Sequence, residues 1–256
     1  MTFSKLILIS VVFTANAICA DEDLNKKLDS FAGVACSPKE TVYNTYNLSL
    51  RCIQNNIPGD FVECGVAAGA QIAAMGYACQ KLDSNRKILL FDSFEGIPLA
   101  GPNDTQQPGV GYLGHNTNVK HIEDLLVSSR TVYPNHDVSD HSVEKVKNNM
   151  KRFGIQEHRL VYYKGWFQHV LPIVAPMMGN ISLLRLDGDL YESTKVCLEY
   201  LYPKVSKGGY IIIDDYNLEG CKKAVDEYLK AHNIFPKMTL ICSILGGLGP
   251  IYWQVE

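Results

Sequence analysis

The chain has 256 residues, 46% of them hydrophobic and 20% charged, and a formal net charge of -3 at pH 7. That length suits one domain with a full core, and no Pro, Gly or Ser linker divides it. A nearly balanced charge with no basic stripe or polybasic patch excludes partners held by such charge, nucleic acid and anionic membrane surfaces among them.

In chain order, the first twenty residues stand apart. Lys5 supplies one positive charge, Leu6 to Phe13 is an apolar run, and Ala15-Asn-Ala17 or Ile18-Cys-Ala20 offers a small-residue cleavage site before Asp21-Glu22-Asp23. Residues 1–20 read as a secretory signal peptide, or as an anchor if uncleaved, which would be the chain's one route to a membrane. The expected location is then secreted, periplasmic or in the lumen of the secretory pathway. Residues 21–57 read as a helical segment that packs over a sheet or against a partner, with apolar positions at Val42, Tyr46, Leu48, Leu50 and Ile53. A second copy of the chain is left open as a partner.

Gly59-Asp60 breaks the chain before a strand over Phe61 to Cys64, and a glycine-rich turn leads into a helix over Gln71 to Gln80. Lys87 to Asp92 is a second strand, ending in an acid. Residues 93–135 lack periodicity, and structureless stretches longer than about 12–15 residues are commonly functional, so 96–135 is expected to be a lid. A helix near Ser142 to Phe153, a strand over Leu160 to Tyr163 and a helix over Phe167 to Val174 follow. The strand Ile181 to Leu186 comes next, then a helix to Tyr202 that Ser193-Thr194 can cap, and a turn at Gly208-Gly209. The strand Tyr210 to Ile213, an amphipathic helix over Cys221 to Asn233 and a terminal hairpin of Met238 to Ser243 with Pro250 to Val255 complete the chain. Alternating strands and helices predict an α/β fold, a doubly wound, mostly parallel sheet with the hairpin as an antiparallel edge.

Two acidic pairs carry the chemistry. Asp187-Gly-Asp189 and Asp214-Asp215 each end an apolar strand, and ligands of such sheets bind beyond the carboxyl ends of the strands. Four carboxylates crowded there need a counter-ion, and oxygen ligands suit a divalent cation such as Mg²⁺. The competing reading is that these acids cap the helices that follow. Upstream, Glu63-x-Gly65-x-x-x-Gly69 lets backbone approach a cofactor, or merely lets a strand and helix pack. Asp92 is placed to accept from a ribose diol, so together these residues suggest an adenosine-bearing cofactor.

The eight cysteines show no zinc-ligand spacing. If the chain is exported, Cys36 and Cys52 are the expected disulfide, while Cys64, Cys79, Cys197 and Cys242 fall in apolar stretches. Asn47, Asn103 and Asn180 begin glycosylation sequons. His115, His121, His136 and His141 fall in or near the expected lid. Trp166 and Phe167 are open to stacking on a ligand or to core packing, as Tyr191 and Tyr216 are to orienting a substrate or to packing.

The series Glu63-Cys-Gly65, Asp92-Ser-Phe-Glu-Gly96-Ile-Pro98, Gly165-Trp166-Phe167 with Leu171-Pro172, Leu186-Asp-Gly-Asp-Leu-Tyr-Glu-Ser-Thr194 and Asp214-Asp215-Tyr216 resembles the macrocin O-methyltransferase family over about residues 58–230. The resemblance implies a Rossmann-like class I methyltransferase domain over 58–256. It implies S-adenosylmethionine and a divalent metal, Mg²⁺ by its ligands, methylating a hydroxyl of a sugar or other small acceptor. It also implies that Glu63 and Gly65 line the methionine side of the cofactor, that Asp92 holds the ribose with Ser93 nearby, and that Gly69 belongs to the same cofactor-binding set. Asp187, Asp214 and Asp215 match the metal ligands, and Asp189 matches the general base.

Two further classes are weighed against it. Asp187-Gly-Asp189 would also suit a metal-dependent glycosyltransferase, which leaves Glu63 and Asp214-Asp215 unexplained, and an exported non-catalytic binding protein could keep the same fold. A leader for export sits in tension with a methyl donor made in the cytosol.

Overall fold

A computed structural model describes residues 22–98, 100–104, 142–244 and 246–256. The expected leader, nearly all of the expected lid beyond residue 104, and the four histidines named above lie outside them.

Helices α1 (22–32) and α2 (Lys39–Gln54) precede the first strand, β1 (Asp60–Cys64). Then come α3 (Ala70–Lys81), β2 (Ile88–Asp92), α4 (Val143–Phe153), β3 (Leu160–Lys164), α5 (Phe167–Val174), β4 (Ile181–Leu186), α6 (Tyr191–Leu201), β5 (Val205–Ile213) and α7 (Glu219–Ala231). The short β6 (Thr239–Leu240) and β7 (Ile251–Gln254) close the chain as the expected antiparallel edge. The seven strands lie in the order β3-β2-β1-β4-β5-β7-β6, with β3 to β5 parallel.

Successive strand residues point to opposite faces, and the two faces carry separate cores. Phe61, Leu90, Leu183 and Ile212 pack under α1 to α4, whereas Val62, Phe91, Leu184 and Ile213 pack under α5, α6 and α7. Strands buried on both sides explain the unbroken apolar runs of the sequence. The first two helices cover the sheet: Leu28, Phe31, Val42 and Tyr46 belong to the first core.

Two expectations are corrected. The helix after β4 starts at Tyr191, so Ser193 and Thr194 lie inside its first turn, and its N-cap, Leu190, makes no side-chain cap bond. Cys36 and Cys52 are both free thiols. Cys52 lies 13 residues into α2, about 20 Å along the axis from its start, whereas a disulfide needs Cα atoms within about 7 Å. Its buried thiol donates to Ser182 O at 3.2 Å, and burial pushes its pKa to about 12. Cys64, Cys79 and Cys197 are buried as expected, and Cys242 is partly exposed.

Candidate active site

Strand register assembles the site. Cys64 pairs with Leu186, and Leu186 with Ile213, so the residues just past these positions, Gly65, Asp187 and Asp214, meet at one end of the sheet. The backbone is stitched there, Asp187 N–H donating to Cys64 O at 2.8 Å and Asp214 N–H to Leu186 O at 2.9 Å. Gly65 has φ +88°, and a Cβ on it would fall 1.7 Å from Asp187 O. Only glycine allows that approach.

Beside Gly65 a narrow cleft of about 60 Å³ opens, lined by Asp92, Ser93, Trp166, Phe167, Asp187 and Asp189 among others. Asp92 Oδ2 accepts from Val66 N–H at 2.6 Å and Ala67 N–H at 3.3 Å, and Oδ1 from Phe94 N–H at 2.7 Å. The carboxylate thereby ties the turn after β1 to the turn after β2. Burial raises its pKa, and those backbone donors oppose the rise. Ser93 Oγ donates to Gly96 O at 2.7 Å, fixing the turn that forms one wall. Of the expected cofactor residues, Gly65, Asp92 and Ser93 line the cleft, whereas Glu63, turned toward Arg185, and Gly69 do not. At Gly69, whose φ is +86°, a Cβ would meet Met150 Cε at 2.8 Å and Val146 Cγ1 at 3.1 Å, so it also packs closely against α4.

The carboxylates are organised by a residue that the motif reading passes over. Arg185, fully buried in β4, donates from Nη1 to Glu63 Oε1 at 2.6 Å and to Asp187 Oδ2 at 2.7 Å, and from Nη2 to Asp214 Oδ1 at 2.5 Å. Glu63 is its ladder partner, so both point to the face beneath α1 to α4. Ser37, in the turn between α1 and α2, accepts from Nη2 at 3.3 Å. The signal was present in the sequence: an arginine inside a fully buried strand must find carboxylates. One guanidinium serves three acids, and burial prevails, pushing Glu63 to about 8 and Asp214 to about 6.

Asp215 is pushed well up as well, first by burial and then by Asp189, Asp187 and Asp214. Its Oδ2 accepts from Asp189 N–H at 2.9 Å, which holds Asp189 in a left-handed conformation, φ +57°. Oxygen atoms of Asp187, Asp214 and Asp215 lie within 4.8 Å of one another. The hydroxyls of Tyr191 and Tyr216 are engaged away from this cluster, with Glu227 at 2.6 Å and Asp226 at 2.7 Å.

Residues 38–253 match the family described as Macrocin-O-methyltransferase (TylF). The chain belongs to that family. It is an S-adenosylmethionine-dependent O-methyltransferase. This O-methyltransferase is 35% identical over 204 residues to the demethyldecarbamoylnovobiocin O-methyltransferase of Streptomyces niveus, covering 79% of the chain and 68% of the relative. It is 32% identical over 203 residues to the 8-demethyl-8-(2,3-dimethoxy-alpha-L-rhamnosyl)-tetracenomycin-C 4'-O-methyltransferase of Streptomyces olivaceus, with the same two shares, 79% and 68%. Among solved structures, the O-methyltransferase NovP superposes with a TM-score of 0.65 at 30% identity, over 85% of this chain and 80% of that one. Family membership decides against reading Asp187-Gly-Asp189 as a glycosyltransferase motif.

Proposed function

We propose that this O-methyltransferase transfers the S-adenosylmethionine methyl group to a hydroxyl on a sugar or a similar natural-product acceptor, with a divalent cation, Mg²⁺ by its donor set, at Asp187, Asp214 and Asp215. The observation carrying the proposal is the acidic triad at the ends of β4 and β5, bordering the cleft that Gly65 and Asp92 line. One relative is named for methylating a rhamnosyl tetracenomycin and the other for methylating demethyldecarbamoylnovobiocin, which supports an acceptor of that natural-product class here.

The residues present fit both groups. The cleft beside Gly65 is closed to any side chain at that position, and Asp92 retains acceptor capacity beyond its three backbone donors, since a carboxylate offers about four lone-pair sites. For the cation, carboxylate oxygens of Asp187, Asp214 and Asp215 lie within 4.8 Å of one another. Carboxylates crowded that closely stay ionised together only with a counter-ion, and hard oxygen donors suit Mg²⁺. When bound, the sulfonium supplies an activated methyl group, and the cation supplies Lewis acidity toward the acceptor hydroxyl.

The chain's own residues supply placement and proton transfer. Gly65 and the Asp92 turn would seat the donor, and Trp166 and Phe167 would wall the cleft from water. Asp189, whose backbone is locked to Asp215, would accept the hydroxyl proton on a carboxylate oxygen as the methyl group moves. Glu63, paired with Arg185 under the sheet end, would act by holding the cluster in place.

The test combines binding and turnover. S-adenosylhomocysteine is expected to bind at micromolar strength by calorimetry. Labelled methyl groups are expected to pass to demethyldecarbamoylnovobiocin or to a rhamnosyl tetracenomycin, with turnover lost in chelator and in Asp215→Asn. Full turnover in chelator would overturn the cation, and absence of donor binding would overturn the whole proposal.

A further inference from the structure

The two acidic turns feed directly into two helices, and neither helix caps itself. The N-cap residues of α6 and α7 are Leu190 and Leu218, and neither makes a side-chain cap bond. The first four N–H groups of a helix have no acceptor within it. For Tyr191, the first residue of α6, the acceptor comes from 87 positions away in sequence: Asp104 Oδ1 accepts from its N–H at 2.8 Å.

Asp104 is itself held rigidly. Its Oδ2 accepts from Gly101 N–H at 2.9 Å and its own N–H donates to Gly101 O at 3.0 Å, closing a tight turn over 101–104. The same carboxylate touches α7, because a Cβ on Gly220 would fall 1.8 Å from Asp104 Oδ1 and 3.3 Å from Asn103 O. Lys223, one turn further along α7, donates to Asn103 Oδ1 at 2.7 Å. The turn is therefore wedged between the first turns of both helices, where a negative charge is favoured by both helix dipoles. Tyr191 lies two residues after Asp189, and Gly220 lies five after Asp215.

We infer that Asp104 is a positioning residue for the reaction: by accepting the Tyr191 N–H and seating against Gly220, it fixes the Asp187–Asp189 turn relative to the Asp214–Asp215 turn. A cap supplied from within either helix would order that helix alone. A carboxylate wedged between both sets the spacing of the two turns, and hence of the oxygen atoms they carry. Gly220 is then required to be small by its contact with Asp104, although an alanine would favour the helix.

The functional consequence rests on the cation reading above, so the experiment has two arms. In the full chain, hydrogen exchange is followed for Asp104→Ala, Asp104→Asn and Gly220→Ala. Asp104→Ala is expected to speed exchange at Tyr191 roughly tenfold or more, since no acceptor replaces the lost oxygen, and to leave β1 and β2 unchanged. Asp104→Asn is expected to restore Tyr191 protection, because asparagine caps helices about as well as aspartate. Gly220→Ala, which changes no charged group, is expected to reproduce the Asp104→Ala pattern, and the double variant is expected to be no worse than either single one.

In the second arm, Mg²⁺ is titrated into protein saturated with S-adenosylhomocysteine. Asp104→Ala and Gly220→Ala are expected to weaken Mg²⁺ roughly three- to thirtyfold, the equivalent of a lost helix cap, while S-adenosylhomocysteine affinity stays within about twofold. Unchanged exchange at Tyr191 in Asp104→Ala, or Gly220→Ala behaving as the wild type in both arms, would overturn the inference. Wild-type protein that takes up no Mg²⁺ would refute the cation reading alone and leave the exchange arm to judge Asp104. Should Asp104→Ala fail to fold, Gly220→Ala decides.

Discussion

Arg185→Met tests whether the buried guanidinium holds the site together. Arg185 is fully buried and reaches three carboxylates at 2.5 to 2.7 Å, so removing it strands Glu63, Asp187 and Asp214 in a low-dielectric end of the sheet. Breaking a buried ion pair by deleting one partner costs about 3–5 kcal/mol. Glu63, with a pKa pushed to about 8, is already largely protonated at neutral pH and adds little to that cost. The cost therefore falls on Asp187 and Asp214, and one pair's worth is the appropriate scale. For a chain of this size each kcal/mol moves Tm by about 2–4 °C, so the expected loss is about 6–20 °C at pH 7 by far-UV circular dichroism. Near pH 5 the loss should shrink, because Asp214, at about 6, can then take a proton in place of its partner. Arg185→Lys should fall between the two, since an ammonium cannot fork across three carboxylates. A Tm for Arg185→Met within about 2 °C of wild type at pH 7 would refute the reasoning.

Further perturbations follow from the same geometry. Gly65→Ala and Gly154→Ala both put alanine at positive φ, but the first drives its Cβ to 1.7 Å from Asp187 O whereas the second meets nothing within 4 Å. Gly154→Ala should cost about 1–3 kcal/mol of backbone strain, and Gly65→Ala distinctly more, with loss of S-adenosylhomocysteine binding; equal Tm losses would sink the account of the cradle. Glu63→Gln probes pH dependence in chelator. Burial raises the Glu63 pKa from 4.5 to about 8, so the folded state holds its proton more tightly than the unfolded state across that window. The resulting stability is fully present below about pH 4.5 and lost as pH rises through about 8, so the Tm of Glu63→Gln should gain on wild type as pH rises. A difference independent of pH would remove Glu63 from the cluster's titration.

Much of the fold was legible because both faces of the sheet are buried. Runs such as Ile181 to Leu186 and Tyr210 to Ile213 announced themselves, and Gly65 marked where β1 stops; Gly208-Gly209, expected as a turn before β5, lies inside it instead, where the register against β4 shifts. The site was legible at Asp187, Asp189, Asp214 and Asp215, since an acid at the end of an apolar strand has one place to go. Long-range pairings were not. The cap on α6 was sought in Ser193-Thr194, next in sequence, and comes instead from Asp104, which no local pattern connects to Tyr191. At Gly69 the spacing from Gly65 is all a sequence offers, and it does not show the left-handed backbone or the side chains of α4 that crowd the position. Cys36 and Cys52 were close in sequence, but α2 carries one away from the other.

Arg185 also alters what a cation has to do at this site. Crowded carboxylates alone once required an external counter-ion, yet Glu63, Asp187 and Asp214 meet a guanidinium supplied by β4 itself. That guanidinium approaches from the face beneath α1 to α4, the side away from α6 and α7. Asp215 is held from the other direction, by the Asp189 backbone just before α6, and its pKa is raised first by burial and then by acids that Arg185 serves only in part. A cation at the triad would therefore neutralise the edge that Arg185 does not reach, at Asp215, with the arginine holding Asp187 and Asp214 from below. On that division of labour the two positive charges are complementary, and Arg185→Met should raise the dependence of folding on Mg²⁺ where a purely structural arginine would leave it unchanged.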